Sequence, residues 1–219
     1  MQYEAITVYG TPWCPDCKRA KQFLGEQRIQ YHWVDIEQDA QAMTYVEEVN
    51  QGKRIVPTIL FPDGSTLVEP SNAELAEKLG LTTQAERTYY DVIVVGGGPA
   101  GLIAALYTAR EGLDTLVIEK GAPGGQTGIT QMIKNFPGFD EGISGMEFAE
   151  RLTNQARRFG VEILQAQEVT DSSCNGRYRE LRTSDSSCYP APAVLIATGA
   201  RYRRLNVPGE DDLIGEQLG

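Results

Sequence analysis

The sequence predicts an α/β protein made of two successive units. Over residues 4–80, apolar runs alternate with helix-forming segments in the order βαβαββα. At Tyr90 a second α/β pattern begins, in which an apolar run leads through a glycine-rich turn into a helix. A length of 219 residues fits two domains. We therefore expect domains at 1–80 and 90–219, joined by a short polar linker at 81–89.

Helix and turn signals support the element order of the first unit. Pro15 suits the first turn of a helix that runs to about Gln27. Asp39 can cap a second helix, and Ser71-Asn72-Ala73-Glu74 has the pattern of a capping box that opens a third. Pro62-Asp63-Gly64-Ser65 is typical of a hairpin turn. The strands are expected at Ala5–Tyr9, Tyr31–Asp35, Thr58–Phe61 and Thr66–Val68.

The second unit starts with an uncharged run from Val92 to Ala109. Its length alone would permit a membrane span, but glycines fill its first half, so a strand, a turn and a helix are expected instead. The further elements are expected as strands Asp91–Val95, Thr115–Ile118 and Glu162–Gln165, helices Ala100–Glu111 and Gly145–Phe159, and a buried strand Ala193–Ile196.

Composition excludes several classes of function. Thirty acidic against 20 basic residues give a net charge of -10, which argues against a nucleic-acid binder and against binding to an anionic membrane. The single histidine, His32, rules out histidine-dependent triads and multi-histidine metal sites. Four cysteines are too few for a disulfide scaffold, and the spacing of Cys174 and Cys188 makes zinc improbable, so no metal site is expected. Without a signal-peptide pattern at the N-terminus, we expect a cytoplasmic protein with reduced thiols.

Cys14-Pro15-Asp16-Cys17 is the strongest chemical signal of the first unit. Two cysteines at this spacing at a helix N-terminus can perform thiol–disulfide exchange, because the peptide dipoles there favour a thiolate on Cys14. Cys17 lies one turn further in and suits a resolving thiol, and Trp13 would form an apolar rim beside the exposed sulfur. The alternatives are a buried cysteine pair and half of a metal site.

The segments Thr11–Lys18 and Val56-Pro57-Thr58 resemble glutaredoxins, and Val46–Leu79 is similar to mycoredoxins and related electron donors. The resemblance covers residues 4–80. It implies a thioredoxin-like fold, catalysis by Cys14 and Cys17, and substrate contacts from Trp13, Val56 and a cis Pro57. The substrate would be a disulfide-containing protein or a low-molecular-weight thiol. The Gly-Gly segment with which many glutaredoxins hold the glutathione carboxylate is missing, so another thiol or a protein donor stays open.

The run Gly96-Gly97-Gly98-Pro99-Ala100-Gly101 matches G-x-G-x-x-G between a strand and a helix, as in Rossmann-like dinucleotide sites. Gly96 allows a tight turn, Gly98 lets the backbone approach a pyrophosphate, and Gly101 allows close helix–strand packing. Glu119 follows 18 residues after Gly101, where a carboxylate accepts hydrogen bonds from a ribose and repels a 2′-phosphate. We expect FAD or NAD rather than NADP; the alternative is a glycine turn without a ligand.

The choice of FAD rests on a second resemblance. Five segments resemble the low-molecular-weight thioredoxin reductases in their order and spacing. They are Asp91–Ile118, Gly124-Gly125-Gln126, Lys134–Gly138, Ala197–Ala200 and Pro208-Gly209-Glu210. The resemblance implies a Rossmann-like FAD-binding domain and a possible homodimer. The cofactor-binding residues that it implies, with those of the glycine loop, are Gly96, Gly98, Pro99, Ala100, Gly101, Glu119, Gly125, Gln126, Asn135, Val169, Ala197, Thr198 and Gly199.

In that family, Pro208-Gly209-Glu210 precedes an NADPH-binding domain, which is absent from this chain, and the FAD domain would be incomplete. We therefore expect an uncovered apolar surface. Cys174 and Cys188 are expected to be structural or incidental, and Arg201, Arg203 and Arg204 are expected in a solvated hinge.

The sequence predicts a disulfide oxidoreductase. In a full-length parent, electrons would pass from NADPH through FAD and a reductase dithiol to Cys14–Cys17. The alternatives are a non-catalytic flavin-binding remnant and a glutaredoxin-like carrier attached to a non-functional reductase fragment.

Overall fold

The computed structural model describes residues 5–200, which form two compact units with a boundary between Leu81 and Thr82. Each unit is described by itself. Some predicted features lie outside the described residues. They are Arg201, Arg203, Arg204 and Pro208-Gly209-Glu210.

The first unit is a mixed four-stranded sheet with three helices, in the predicted order. Its elements are β1 (Ile6–Gly10), α1 (Pro15–Glu26), β2 (Tyr31–Asp35), α2 (Ala40–Val49), β3 (Thr58–Leu60), β4 (Thr66–Val68) and α3 (Asn72–Lys78). The strands lie in the order β2-β1-β3-β4, with β1 parallel to β2 and antiparallel to β3. The βαβαββα order of the predicted thioredoxin-like fold is confirmed.

Capping interactions explain where the helices of this unit begin. The Asp39 carboxylate accepts the N–H groups of Gln41 and Ala42 at 2.9 and 3.0 Å, which ends the polar loop and starts α2. At α3, the Ser71 hydroxyl accepts the N–H of Glu74 at 3.2 Å, while the Glu74 carboxylate accepts the N–H of Ser71 at 2.7 Å. The predicted capping box is therefore present, and it gives the N–H groups of Ser71 and Glu74 partners within the segment.

The second unit contains two sheets. The elements are β5 (Val92–Val95), α4 (Pro99–Arg110), β6 (Thr115–Ile118), a 3₁₀ turn (Gly125–Ile129), α5 (Gly145–Arg158), β7 (Glu162–Leu164), β8 (Val169–Asn175), β9 (Tyr178–Thr183), β10 (Cys188–Ala191) and β11 (Ala193–Ile196). A parallel sheet has the order β11-β5-β6-β7, and an antiparallel sheet has the order β10-β9-β8. The parallel sheet with α4 after β5 is the predicted Rossmann-like arrangement.

The segment that the sequence presents as a linker is held along the second unit. The carbonyl of Thr82 accepts the N–H of Gln165 at 2.7 Å. The Glu162 carboxylate accepts the N–H of Glu86 at 2.6 Å and the hydroxyl of Tyr90, which is 1% exposed. Polar composition suggested an unattached linker, but these partners come from residues more than 70 positions away and are not visible in the local sequence.

The strand β11 differs from the prediction, because it is exposed rather than buried. Leu195 is 41% and Ile196 66% exposed, although both side chains are apolar. In the described part of the chain β11 pairs with β5 alone, so one of its edges and part of its surface face solvent.

The run Val92–Ala109 forms β5, the glycine loop and most of α4, as predicted. Among the described residues, no helix combines the length and the apolar character that crossing a membrane requires.

Packing inside the first unit leaves no space for a side chain at Gly10. A Cβ there would lie 2.6 Å from the Trp33 ring and 2.7 Å from the Cys17 sulfur. We expect Gly10→Ala to lower the free energy of unfolding of this unit by about 1–3 kcal/mol, because the core must shift to admit the methyl group.

Gly25→Ala is the matched control, since no atom lies within 4 Å of its added Cβ and Gly25 is inside α1. It should be neutral or stabilise by about 0.5–1 kcal/mol. The two tryptophans of the chain, Trp13 and Trp33, both lie in this unit, so tryptophan fluorescence during urea unfolding reports its stability. Equal unfolding midpoints for the two variants would contradict the prediction.

Candidate functional sites

The dithiol is built on the N-terminus of α1. Cys14 is the N-cap residue, and its sulfur accepts the N–H of Cys17 at 3.1 Å, which places Cys17 inside the first turn. Pro15 starts the helix without an N–H that would need a partner. The sulfur of Cys14 thus takes the place of a capping oxygen, and a negative charge on it is stabilised by this N–H and by the helix dipole.

The loop before β3 lies against the same sulfur. The Cys14 Sγ is 3.6 Å from the carbonyl oxygen of Val56, and the Val56–Pro57 peptide bond is cis, as the resemblance implied. Thr11, which sequence reasoning did not single out, accepts the N–H of Cys14 through its carbonyl at 3.3 Å. The structure therefore brings Cys14, Cys17, Val56 and Pro57 together.

The two cysteines differ in their environment. Cys17 is 1% exposed, and its burial, with the hydrogen bond to Cys14, raises its pKa from 9.0 to about 12. Its thiol therefore stays protonated at neutral pH. Cys14 is buried as well, at 5% exposure, and not exposed as the sequence suggested. Its sulfur lies at the N-cap of α1, whereas Cys17 lies inside the first turn.

Trp13 is the exposed neighbour of this dithiol. Its side chain is 66% exposed, and its indole N–H donates to both carboxylate oxygens of Glu37, at 3.3 and 3.2 Å. Glu37 was not predicted, since 24 residues separate it from Trp13 in sequence.

The raised pKa of Cys17 is testable by alkylation. Iodoacetamide at about pH 8 should modify Cys14 at least tenfold faster than Cys17, because only thiolates react and the Cys17 thiol stays protonated far above this pH. Peptide mapping by mass spectrometry separates both sites from Cys174 and Cys188. In urea the difference should vanish, and equal labelling of Cys14 and Cys17 in the folded protein would contradict the assignment.

In the second unit, the three motif glycines of the loop after β5 have three different steric roles. Gly96 has φ +107°, and a Cβ there would lie 2.3 Å from the carbonyl oxygen of Ala197. A Cβ at Gly101 would lie 2.0 Å from the carbonyl oxygen of Gly96. At Gly98, in contrast, no atom lies within 4 Å of an added Cβ. Gly96 and Gly101 thus serve internal packing, while the space at Gly98 is open to a ligand.

The same loop opens α4. Gly98 is the N-cap and offers no side-chain acceptor, and Pro99 occupies the first helical turn, followed by the exposed Ala100. The N–H groups of the first turn are therefore not capped by a side chain. This is the arrangement in which a helix N-terminus binds an anionic group such as a pyrophosphate.

Glu119 lies directly after β6 and is held by backbone donors. Its carboxylate accepts the N–H of Gly97 at 2.5 Å and the N–H of Gly121 at 2.8 Å. Gly97 was not assigned a role from the sequence, but it links Glu119 to the glycine loop. The carboxylate is thus fixed in position with acceptor capacity left for a ligand hydroxyl.

A pocket of about 290 Å³ joins several predicted residues at the carboxyl ends of β5 and β6. It is lined by Gly96, Glu119, Val169, Thr198 and Gly199. Lys120, Gln167, Glu168 and Ala200 also line it and were not predicted, because their roles follow from the packing of distant loops. Ligands of open parallel sheets bind at this edge.

The residues predicted to lie along the flavin are found at two separate places in the second unit. Gly125 approaches the glycine loop, since a Cβ on it would be 3.3 Å from the Cα of Gly98. The Gln126 amide donates to the Ala200 carbonyl at 2.6 Å and so ties the 3₁₀ turn to the loop after β11. Asn135 is exposed and lines a separate pocket of about 510 Å³ formed by residues 134–140.

Cys174 and Cys188 are exposed free thiols of the antiparallel sheet. Cys174 is paired with Arg179 and Cys188 with Arg182 on β9. Because Arg179 and Arg182 are three positions apart, the two cysteines face opposite sides of the sheet, and they are not placed for a disulfide. Within residues 5–200, no cluster of three or more His, Cys, Asp or Glu residues could hold a metal ion.

Fold and sites together define a two-unit α/β protein. In one unit a cysteine pair lies at the start of a helix, and in the other a glycine-rich loop of the kind found in dinucleotide-binding sites joins a strand to a helix. Residues 90–218 match the family model described as pyridine nucleotide-disulphide oxidoreductase, and residues 6–65 match the glutaredoxin model. Because the first match covers more than half of the chain, the chain belongs to the pyridine nucleotide-disulphide oxidoreductase family, and it also carries a glutaredoxin domain.

Similar proteins are thioredoxin reductases. The chain is 44% identical over 133 residues to the thioredoxin reductase of Listeria monocytogenes, covering 60% of this chain and 40% of that protein. It is 41% identical over 137 residues to the bifunctional thioredoxin reductase/thioredoxin of Mycobacterium leprae, covering 63% and 30%.

A solved structure, the thioredoxin reductase of Streptococcus pyogenes, matches with 44% identity and a TM-score of 0.54, covering 57% of this chain and 40% of that one. The chain thus spans less than half the length of these relatives.

Proposed function

We propose that the chain is a thiol–disulfide oxidoreductase whose Cys14–Cys17 pair reduces a substrate disulfide. The observation that carries the proposal is the capping of α1 by the Cys14 sulfur, which accepts the Cys17 N–H at 3.1 Å while Cys17 itself is buried. One sulfur is thereby prepared as a nucleophile, and the other is kept protonated.

The exchange follows from this geometry in two steps. The Cys14 thiolate attacks one sulfur of the substrate disulfide, forms a mixed disulfide and releases the other substrate sulfur as a thiolate. Cys17 then gives up its proton, attacks the Cys14 sulfur and releases the second substrate thiol. The substrate gains two electrons from the pair and one proton from Cys17, with a second proton from solvent where the released thiolate is protonated. The Cys14–Cys17 pair becomes a disulfide that an external dithiol or a reductase must reduce.

We propose substrate contacts for three residues. The Val56 carbonyl lies 3.6 Å from the Cys14 sulfur, Pro57 follows Val56 through the cis peptide bond, and the exposed Trp13 directly precedes Cys14. The substrate would be a disulfide-containing protein or a low-molecular-weight disulfide. Because the reaction needs reduced thiols, a reducing compartment such as the cytoplasm suits it.

We further propose that the second unit binds FAD. Three observations support the fit: the open space at Gly98, the uncapped N-terminus of α4, and the carboxylate of Glu119 in the adjoining pocket. The loop Gly98-Pro99-Ala100 would hold the pyrophosphate, Glu119 the ribose, and the backbone of Val169 the adenine. Gly125 and Gln126 would lie along the flavin, with Asn135 contributing from its loop.

Bound FAD would supply a two-electron carrier for reducing disulfides. For a protein that continues like the Listeria monocytogenes relative, of which the chain spans 40% of the length, we propose NADPH-dependent reduction, a second dithiol and a homodimer.

The dithiol role predicts the effect of removing each sulfur. Cys14→Ser should abolish reduction of insulin or hydroxyethyl disulfide in the presence of added dithiol, since no attacking sulfur remains. Cys17→Ser should still form the mixed disulfide, which mass spectrometry detects, but should fail to resolve it. Cys174→Ser is the matched control and should keep full activity. Full activity of Cys14→Ser would refute the proposal.

The cofactor role predicts that filling the space at Gly98 prevents FAD binding. Gly98→Val should weaken FAD binding at least tenfold in a titration followed by flavin fluorescence, because the side chain would occupy the place of the pyrophosphate. Tyr107→Ala, at a 55% exposed position of the same helix, is the control and should bind like the unmodified chain. Circular dichroism checks that both variants fold, and unchanged binding by Gly98→Val would place the cofactor elsewhere.

A further inference from the structure

The exposed ring of Trp13 is held in place on the residue that directly precedes Cys14. Tryptophan is usually largely buried, yet this side chain is 66% exposed. Its indole N–H is fixed by the two oxygens of Glu37, so the ring direction is set although the ring itself lacks a cover. A fixed, exposed aromatic ring beside a nucleophile is suited to contact the substrate.

Glu37 sits in a loop with two backbone-to-carboxylate hydrogen bonds. The N–H of Glu37 donates to the Asp35 carboxylate at 3.0 Å, and two residues further on Asp39 caps α2. Within residues 5–200, Glu37 forms no ion pair with a lysine or arginine, and it is exposed. The indole N–H offsets only part of a full negative charge. Beside Trp13 there is therefore a carboxylate whose charge is not neutralised by the protein.

The basic residues of α1 are mostly occupied. Arg19 binds the Asp16 carboxylate, the Pro70 carbonyl and the Asn72 side chain at 2.9–3.3 Å. The Lys21 ammonium lies over the Trp33 ring, 4.3 Å from its centroid. Lys18 is the exposed exception. Residues 1–80 carry 12 acidic and 7 basic side chains, so the unit as a whole has a negative field.

We propose that Trp13 and Glu37 form a recognition surface for a lysine or arginine next to the substrate disulfide, so that the substrate class is a protein or peptide with a basic residue flanking its cysteine. A cation placed against the indole face and beside the Glu37 carboxylate gains a cation–π interaction and an ion pair together. The inference rests on the proposed disulfide reductase function and adds the substrate class.

The same surface disfavours a small anionic thiol. At the start of α3 the capping box already uses the N–H groups of Ser71 and Glu74. The Glu37 carboxylate, which is hydrogen-bonded to Trp13, would repel such a ligand. A basic protein segment is thus favoured over a carboxylate-bearing thiol disulfide.

The test compares two peptides that carry the same disulfide, one flanked by lysine and one by glutamate. The pre-reduced full chain is mixed with excess peptide, and the second-order rate constant of thiol release is measured. We expect the lysine peptide to react about tenfold faster at low ionic strength, and the preference to shrink as salt is added. Equal rates for both peptides, or a preference unaffected by salt, would overturn the inference.

Glu37→Gln separates charge from ring positioning, because a glutamine carbonyl still accepts the indole N–H. The variant should lose most of the lysine preference, whereas Glu26→Gln, an exposed change on α1, should keep it. Trp13→Ala should lower the rate with the lysine peptide more than with the glutamate peptide. An unchanged preference in Glu37→Gln would overturn the role of the carboxylate.

Failure of the inference is distinguishable from failure of the proposed function. If neither peptide is reduced in a Cys14-dependent manner, the disulfide reductase function itself is wrong. If both are reduced at equal rates, the function stands and the substrate class does not.

Discussion

Both candidate sites depend on the N–H groups at the start of a helix, which have no partner within the helix itself. At α1 the Cys14 sulfur accepts one of them, the N–H of Cys17, at 3.1 Å. At α4 the N-cap is Gly98, which has no side chain to occupy them, and the helix start stays available to an anion. The same backbone feature is thus capped by a sulfur in one unit and left without a side-chain cap in the other, and the difference lies in the capping residue.

Close packing around these helix starts restricts the neighbouring positions. Gly10 leaves room for the Cys17 sulfur and the Trp33 ring, which keeps Cys17 buried and its pKa high. Gly96 and Gly101 bring the second loop against the backbone of its own sheet. In each unit a glycine is required because another backbone or a buried side chain fills the space of a Cβ. The reactive groups are therefore positioned by steric exclusion as much as by hydrogen bonds.

Long-range polar contacts complete the sites that these helix starts begin. Glu37 fixes Trp13, Gly97 fixes Glu119, and Gln126 ties the 3₁₀ turn to the Ala200 carbonyl. Each contact joins loops that follow different strands, so each depends on the sheet order. The same principle holds the segment after Leu81 along the second unit through Glu162. In both units, carboxylate or amide side chains form hydrogen bonds that hold the loops at the ends of strands.

The sequence by itself determined the βαβαββα order, the capping box of α3 and the close packing at Gly96 and Gly101, because these depend on local spacing and on backbone conformation. It also predicted Cys14, Cys17 and Glu119 as site residues from residue type and position. Only the tertiary structure decided that Glu37 and Gly97 belong to the sites, that residues 82–90 pack on the second unit, and that β11 is an exposed edge. These features arise from contacts between segments far apart in sequence, where hydrophobic pattern gives no information about which polar partner is within reach.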